Sequence, residues 1–303
     1  SSHLSAQDGV GVGWVGARIG SRCLGGCASA PAGAMKFAQF VMGPAGCGKS
    51  TYCATIQEHF RVSMRRQCRV VNLDPAAETF AYDCEIDIRD LISVDDVMEE
   101  LNYGPNGGLV YAMEYITDNM SWLEDQLKEY IDDDYLIFDC PGQIELYSHL
   151  TVMREIVDML QNNDYRVAGV YCLDINFIED SAKFLAGGLA ALTAMVNLEL
   201  PHINVLTKCD LLKDETELER YLEADTETII QDLKKSMHPK YRLLNEAMGN
   251  LLEEFALVSF LALNRDDEDS IELVLAHVNH CIQYGENLEP SGKFDGADND
   301  PDG

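Results

Sequence analysis

The sequence is short of positive charge. It carries 22 lysine and arginine residues against 52 aspartate and glutamate residues, which gives a formal net charge of −30 over 303 residues. Such an excess of negative charge repels the phosphate backbone of nucleic acids and anionic membrane surfaces. We therefore expect no direct nucleic-acid binding and no membrane binding, and we favour protein partners and a metal-complexed nucleotide as ligands.

Paired cysteines and long apolar runs are also missing. The ten cysteines contain no CxxC pair and no zinc-finger spacing, so we expect reduced thiols in a cytoplasmic protein. No segment is long and uninterrupted enough to predict a membrane span. The nearest candidate, residues 184–200, is broken by Asn197 and Glu199 and predicts a helix packed against a sheet or a partner subunit.

The clearest positive pattern is a phosphate-binding loop. An apolar run at 37–42 predicts a buried strand and residues 51–64 predict a helix, which is the strand-loop-helix context such loops require. Glycines let backbone N–H groups surround a polyphosphate, the lysine reaches the terminal phosphates, and the serine hydroxyl faces magnesium. The residues predicted to bind the nucleotide here are Gly43, Pro44, Ala45, Gly46, Cys47, Gly48, Lys49, Ser50 and Thr51.

Two aspartates end predicted strands on the same rim as this loop. A valine-rich run at 69–73 leads into Asp74, and an apolar run at 135–139 ends in Asp139. Because strands joined by helices run parallel, their carboxyl ends collect at one edge of the sheet, where ligands bind. We predict that Asp74 orients or deprotonates the attacking water, and that it approaches magnesium together with Ser50 and Asp139. The alternative for Asp74 is a turn residue that caps the next segment.

Asp139 also opens a DxxG pattern, Asp-Cys-Pro-Gly-Gln. In nucleotide switches with this pattern the glycine amide senses the terminal phosphate. We therefore predict that Gly142 contacts the phosphate and that Gln143 assists catalysis beside Lys49.

A base-recognition pattern follows a predicted strand at 203–207. Thr207, Lys208 and Asp210 form an NKxD box with threonine in place of asparagine. A carboxylate at Asp210 accepts both the ring N–H and the exocyclic amine of guanine, whereas adenine leaves it unpaired. We predict a GTP site in which Lys208 reaches back toward the phosphate loop and Ala262, in a final loop at 259–264, closes over the base.

The predicted domain holds an unusually long acidic and helical segment at about 80–131. Its predicted helices, 93–101 and 119–130, flank a turn that contains Gly104, Pro105 and Asn106. Residues 1–34 predict a disordered extension, with Met35 as a natural start, and residues 286–303 predict an acidic disordered tail. The remaining 35–285 predict one α/β domain with three layers around a mainly parallel sheet.

The order of these motifs resembles that of the GPN-loop GTPases across roughly residues 35–285, and segments 71–78, 87–98, 133–147 and 282–286 are most similar to the third eukaryotic branch of that family. The resemblance implies a SIMIBI-class G domain that hydrolyses GTP with magnesium. It implies a homodimer, or a heterodimer with a related protein, in which Asn106 of one subunit acts on the phosphates of the other. It further implies a role in the assembly and nuclear import of RNA polymerase II, and shuttling between cytoplasm and nucleus.

Three other readings stay open at this point. An ATP-driven metal or cluster chaperone on the same fold carries a second lysine where this chain has Pro44, and it relies on cysteine pairs that are absent here. A polynucleotide kinase is disfavoured by the acidic charge and by the Thr207–Asp210 box. A nucleotide-binding scaffold with little turnover is compatible with the same motifs.

Overall fold

The computed structural model describes residues 36–128, 135–212, 238–254 and 260–284, together with Leu218 and Gln231. The predicted extension 1–34 and the tail 286–303 lie outside the described residues. All described residues fall within one unit, 34–303.

A seven-stranded sheet, parallel throughout, forms the centre of this unit. Its spatial order is β3-β2-β4-β1-β5-β6-β7. The strands are β1 (Lys36–Met42), β2 (Cys68–Asn72), β3 (Cys84–Asp87), β4 (Tyr135–Asp139), β5 (Tyr165–Asp174), β6 (His202–Thr207) and β7 (Phe260–Ala262). The predicted α/β fold with a parallel sheet is confirmed, and β4 has the predicted bounds.

Helices cover both faces of the sheet. One apolar cluster packs the sheet against α2 (Val94–Leu101), α3 (Pro105–Asp118), α4 (Met120–Leu127), α5 (Glu145–Ser148), α6 (Val152–Asn162) and α7 (Ser181–Leu198). A second cluster packs it against α1 (Lys49–His59), which continues as a π-helix at Phe60–Met64, and α9 (Glu268–Ile282). The helix α8 (Arg242–Glu254) lies near α7. The central strands are buried on both faces and therefore consist of near-continuous apolar runs.

Helix α7 differs from the sequence expectation in one respect. Its 18 residues reach a mean hydropathy of 1.3 and are long and apolar enough to cross a membrane by length and composition alone. Half of that window is buried inside the fold, where Phe184, Leu185 and Leu192 join the core. The helix thus has the packing expected of a core helix, which is the predicted reading for this segment.

The segment at 80–131 is not helical throughout. Residues 84–87 form β3, which pairs with β2 and extends the sheet, so a strand arrives earlier than the sequence predicted. The predicted turn at Gly104–Asn106 is wrong in form, because Gly104 is the N-cap of α3 and Pro105 occupies its first turn. Proline is favoured at this position since its missing N–H has no partner inside the helix. The insertion is therefore three helices, α2 to α4, that follow an edge strand.

Candidate nucleotide-binding site

The phosphate loop joins β1 to α1 and is held in a conformation that glycine favours. Gly43, Gly46 and Gly48 have φ angles of 139°, 75° and 91°. A Cβ at Gly43 would lie 2.2 Å from the carbonyl oxygen of Cys172, so a larger residue is excluded there. The N-cap of α1 is Gly48, which has no side chain to cap the helix, so the first-turn N–H groups point toward the phosphate loop without an N-cap acceptor. Backbone amides and the helix dipole together form an anion-binding site.

The Lys49 ammonium lies back across this loop, where it donates to the carbonyl oxygen of Pro44 at 3.2 Å. Its side chain is buried apart from 8 % of its surface. A cation held over a ring of backbone amides attracts the terminal phosphates of a nucleotide. Lys49 therefore lies on the phosphate loop, and its contact with the terminal phosphates stays a prediction.

The DxxG aspartate contacts the phosphate loop directly. Asp139 Oδ2 accepts hydrogen bonds from Ser50 Oγ at 2.6 Å and from Tyr82 OH at 3.0 Å. Its other oxygen, Oδ1, is buried and has no hydrogen-bond partner. Burial raises the pKa of the Asp139 carboxyl, although the two hydroxyl donors and Lys49 partly offset that effect.

This donor set fits magnesium. An orphaned carboxylate oxygen beside a serine hydroxyl offers the hard oxygen ligands that Mg²⁺ prefers, and a cation there would relieve the cost of a buried charge. Among the described residues no three acidic, histidine or cysteine side chains converge on a complete metal site. Magnesium at Ser50 and Asp139 would therefore take further ligands from the nucleotide and water.

Asp74 follows β2 in a turn that fixes its backbone. The Asn72 side chain accepts from the Asp74 N–H and donates to the Asp74 carbonyl, both at 3.0 Å. Asp74 Oδ1 accepts from the Ala76 N–H at 2.9 Å. Burial raises the pKa of the Asp74 carboxyl, whereas the hydrogen bond from Ala76 and the charges of Lys49 and Arg89 lower it. A positioned carboxylate whose pKa is raised is a better proton acceptor than a free one.

The loop after Asp139 lies against the phosphate loop. A Cβ at Gly142 would come within 2.8 Å of the Ala45 Cα, so the two loops touch where only glycine fits. The next residue, Gln143, donates from its side-chain amide to Asn106 Oδ1 at 3.1 Å. The structure thus brings the start of α3 next to the DxxG loop within one chain.

The predicted base motif lies at the other end of the phosphate loop. Thr207 Oγ1 lies within hydrogen-bond distance of the carbonyl oxygens of Cys47 and Leu173. Lys208 adopts a left-handed φ of 63°, and its ammonium donates to the Gly46 carbonyl at 2.6 Å and to Asp174 Oδ2 at 2.5 Å. The predicted reach of Lys208 toward the phosphate loop is therefore observed.

A cavity of about 220 Å³ adjoins these residues. Asp210 lines it, with 13 % of its side chain exposed and Oδ2 3.5 Å from Arg265 Nε. The cavity wall beyond β7 is made by Leu263 and Arg265, whereas Ala262 is the last residue of the strand. The complete lining comprises Gly48, Thr51, Tyr52, Thr55, Thr207, Lys208, Asp210, Leu211, Leu263 and Arg265.

Sequence reasoning missed four residues that shape this site: Asn72, Tyr82, Asp174 and Arg265. Asp174 carried a signal, because it ends a strand at the same rim as the two predicted aspartates. Tyr82 and Arg265 meet their partners 57 and 55 residues away along the chain, and neither lies in a motif.

Comparisons with known proteins place the chain in one family. A family model described as "Conserved hypothetical ATP binding protein" matches residues 41–284. A protein named GPN-loop GTPase 3 from Dictyostelium discoideum is 52% identical over 84% of this chain and 90% of its own length. Proteins of the same name from Danio rerio and Xenopus tropicalis are 49% and 51% identical, with the same shares covered.

A solved structure shares the fold. The crystal structure of PAB0955, a GTPase in apo form from Pyrococcus abyssi, superimposes with a TM-score of 0.69 over 81% of this chain and 97% of its own, at 24% identity. At this identity the likeness shows the fold alone.

Proposed function

This chain belongs to the GPN-loop GTPase family, and from that membership we propose that it binds GTP with magnesium and hydrolyses it to GDP and phosphate. The observation that carries the proposal is the position of Asp210. Its carboxylate lines a cavity that also contains Gly48, the last glycine of the phosphate loop. One nucleotide would therefore place its phosphates on the loop and its base against a carboxylate.

The choice of guanine over adenine follows from hydrogen bonding. The guanine edge presents two N–H donors to a carboxylate, whereas adenine presents only one amine beside a ring acceptor. A hydrogen bond to a charged group contributes roughly 1.5–3 kcal/mol, so the second guanine donor favours guanine over adenine. The family model's description names ATP, whereas the relatives are named as GTPases. The base motif favours GTP, because the Asp210 carboxylate can accept a hydrogen bond from the second N–H donor of guanine.

Different side chains of the protein would bind the phosphates, hold magnesium and position the attacking water. Lys49 and the amides at the start of α1 hold the phosphates, while Ser50 and Asp139 hold magnesium, which when bound neutralises charge on the phosphates. Asp74 orients the attacking water and accepts its proton, helped by Gln143. Phosphoryl transfer depends mainly on positioning and charge stabilisation, so no covalent nucleophile is needed.

We further propose that the protein acts as a dimer, with itself or with a related GPN-loop GTPase. Support comes from Asn106, which lies in the exposed first turn of α3, and from the neighbouring tyrosines Tyr103 and Tyr111, which are exposed by 48 % and 36 %. Large exposed apolar side chains in one place favour a protein contact. By family resemblance, we propose that the dimer assists the assembly and nuclear import of RNA polymerase II, in the cytoplasm and with shuttling to the nucleus.

A direct comparison of nucleotides tests the central proposal. We expect calorimetry to show that GTP binds more tightly than ATP and that magnesium strengthens the binding of GTP. We also expect the protein to release phosphate when it is incubated with GTP. An ATP-driven chaperone or kinase would prefer ATP, and a scaffold would bind GTP without phosphate release. Either result would contradict the proposed activity.

Replacing the base-reading carboxylate sharpens the test. In Asp210→Asn an amide donor faces the base. We expect this change to weaken the binding of GTP and to favour xanthosine triphosphate, because the 2-oxo group of xanthine accepts a hydrogen bond from the amide. An unchanged nucleotide preference would remove Asp210 from the base site.

A further inference from the structure

Arg265 lies next to Asp210, the carboxylate that we propose to bind the guanine base. Its Nε lies 3.5 Å from Asp210 Oδ2 and 3.9 Å from Asp266 Oδ1. Among the described residues, Asp210 has no other ion pair or hydrogen bond. Both Arg265 and Asp210 line the same cavity.

The two residues differ in how firmly they are held. Asp210 is 13 % exposed, whereas the Arg265 side chain is 56 % exposed. The backbone around Arg265 is fixed, since Asn264 Oδ1 accepts from the Asp266 N–H and the Ser270 hydroxyl donates to the Asn264 carbonyl. The Arg265 backbone is therefore held in place, whereas its guanidinium is exposed and can move.

A guanidinium and a guanine edge offer the same chemistry to a carboxylate. Each presents neighbouring N–H donors in one plane. When the pocket holds no nucleotide, Arg265 supplies the countercharge that keeps Asp210 paired; when guanine enters, its N–H groups need the oxygens that Arg265 faces. Because Arg265 and Asp210 line the same cavity, the guanidinium beside Oδ2 and a guanine donor that approaches this oxygen from the cavity compete for the same space.

We propose that Arg265 acts as a latch on Asp210: it competes with the guanine base for this carboxylate, so that guanine binds only by displacing it. The inference rests on the proposed guanine site. The 3.5 Å separation and the exposure of Arg265 mean that the pair is weak, because exposed ion pairs contribute little. Displacement therefore lowers the affinity for guanine nucleotides without abolishing it.

The first experiment measures GDP binding to the full chain and to Arg265→Ala, since GDP is not consumed. We expect the dissociation constant to fall by about two- to fivefold, the range that corresponds to an exposed ion pair. The gain should shrink in roughly 0.5 M salt, where the pair is screened. Arg61→Ala serves as a matched control, because Arg61 is also an exposed arginine in an ion pair, with Glu58, and lies outside the cavity.

The second experiment separates competition from a general effect of charge. Removing a cation near the site weakens the binding of every polyphosphate, whichever residue stands at position 210. Competition between Arg265 and the base, by contrast, requires the Asp210 carboxylate. We therefore measure how Arg265→Ala changes the affinity of the parent chain for GDP. We compare this change with the effect of the same substitution on the affinity of the Asp210→Asn chain for xanthosine diphosphate. The gain in affinity should disappear in the second background.

The outcomes distinguish the latch from the site itself. If Arg265→Ala leaves GDP binding unchanged or weakens it, while Asp210→Asn still shifts preference to xanthosine diphosphate, the latch is overturned and the guanine site stands. If Asp210→Asn shifts nothing, the guanine site falls and the latch falls with it. An equal gain in both backgrounds would also overturn the latch. Thermal unfolding of each variant confirms that the fold is kept.

Discussion

The Gln143 side-chain amide donates to Asn106 Oδ1 at 3.1 Å, so the first turn of α3 and the DxxG loop meet within a single chain. Family resemblance implies that Asn106 also serves the site of a second subunit. The two roles make different predictions for mixed dimers.

Mixing two inactive variants tests delivery across the dimer. Lys49→Ala removes the phosphate-binding ammonium and Asn106→Ala removes the donated amide. We expect activity in the mixture to rise above that of either variant alone, because one subunit of a mixed dimer combines an intact loop with an intact Asn106 from its neighbour. If mixed dimers form and bind GTP but activity does not rise, Asn106 acts through Gln143 of its own chain.

Asp74→Asn separates binding from chemistry. The amide keeps the shape of the side chain but cannot accept a proton, so we expect kcat for GTP hydrolysis to fall by about 100-fold or more while the affinity for GTP changes little. Single-turnover phosphate release with a parallel binding titration measures both. Asp83→Asn is the control, since Asp83 is an exposed aspartate nearby. Intact turnover in Asp74→Asn would show that another group prepares the water.

Gly142→Ala tests the contact between the two nucleotide loops. The added Cβ would lie 2.8 Å from the Ala45 Cα and 3.1 Å from the Ala45 N, so one loop must move. A displacement of this size at a catalytic loop lowers the rate by about 100-fold. Gly107→Ala, whose nearest neighbour, Tyr103 Cβ, is 3.8 Å away, is a control for fold stability in thermal unfolding, because it adds a methyl group without a clash. We would abandon the idea of a tight loop contact if Gly142→Ala hydrolysed GTP like the parent chain.

His202 makes stability depend on pH. Its two ring nitrogens are buried, although the residue as a whole is partly exposed, and burial lowers its pKa to about 4, with Asn204 partly offsetting this. As pH falls from 6.5 toward 4, the unfolded chain binds a proton that the folded chain does not. The free energy of unfolding then decreases by up to about 1.4 kcal/mol per pH unit.

The measurement is urea unfolding between these pH values for the parent chain and His202→Gln. We expect the variant to lose less stability on acidification, since it lacks the group that titrates. His277→Gln, at an exposed position of α9, should follow the parent. Parallel curves for the parent and His202→Gln would contradict the assignment.

The sequence predicted the parts of the fold whose side chains obey one strong pattern. The central strands β1, β4, β5 and β6 are apolar runs, and the nucleotide motifs stand at their ends. Strand β3 was missed because only Ile86 among its four residues is buried, as suits a strand at the sheet edge. Its residues Glu85 and Asp87 made the segment look like a solvent-facing acidic helix.

Helix α3 was missed for a different reason. Its first four residues are Pro-Asn-Gly-Gly, which have poor intrinsic helix propensity. Burial of Leu109, Met113 and Ile116 against the core supplies the stability that the first turn lacks. Tertiary packing therefore overrides local preference, and a turn was predicted where a helix begins.

Contacts between distant residues set the limit at the site itself. The hydroxyl of Tyr82, in the connection between β2 and β3, and the guanidinium of Arg265, in the loop after β7, meet Asp139 and Asp210 through tertiary contacts that span more than 50 residues of sequence. No spacing rule connects such pairs in a single sequence, so their roles came from the structure.

The Thr207 hydroxyl, in the base motif, donates to the carbonyl of Cys47 in the phosphate loop and also lies within hydrogen-bond distance of the carbonyl of Leu173 in β5. The two ends of the nucleotide site are thereby held at a fixed separation before any ligand arrives. A ligand that spans both ends gains from this preorganisation, because it loses its freedom of motion once and fills two subsites. Guanosine and pyrophosphate, offered as separate molecules, would each meet only half of the site, so their binding free energies should sum to less than that of the joined nucleotide.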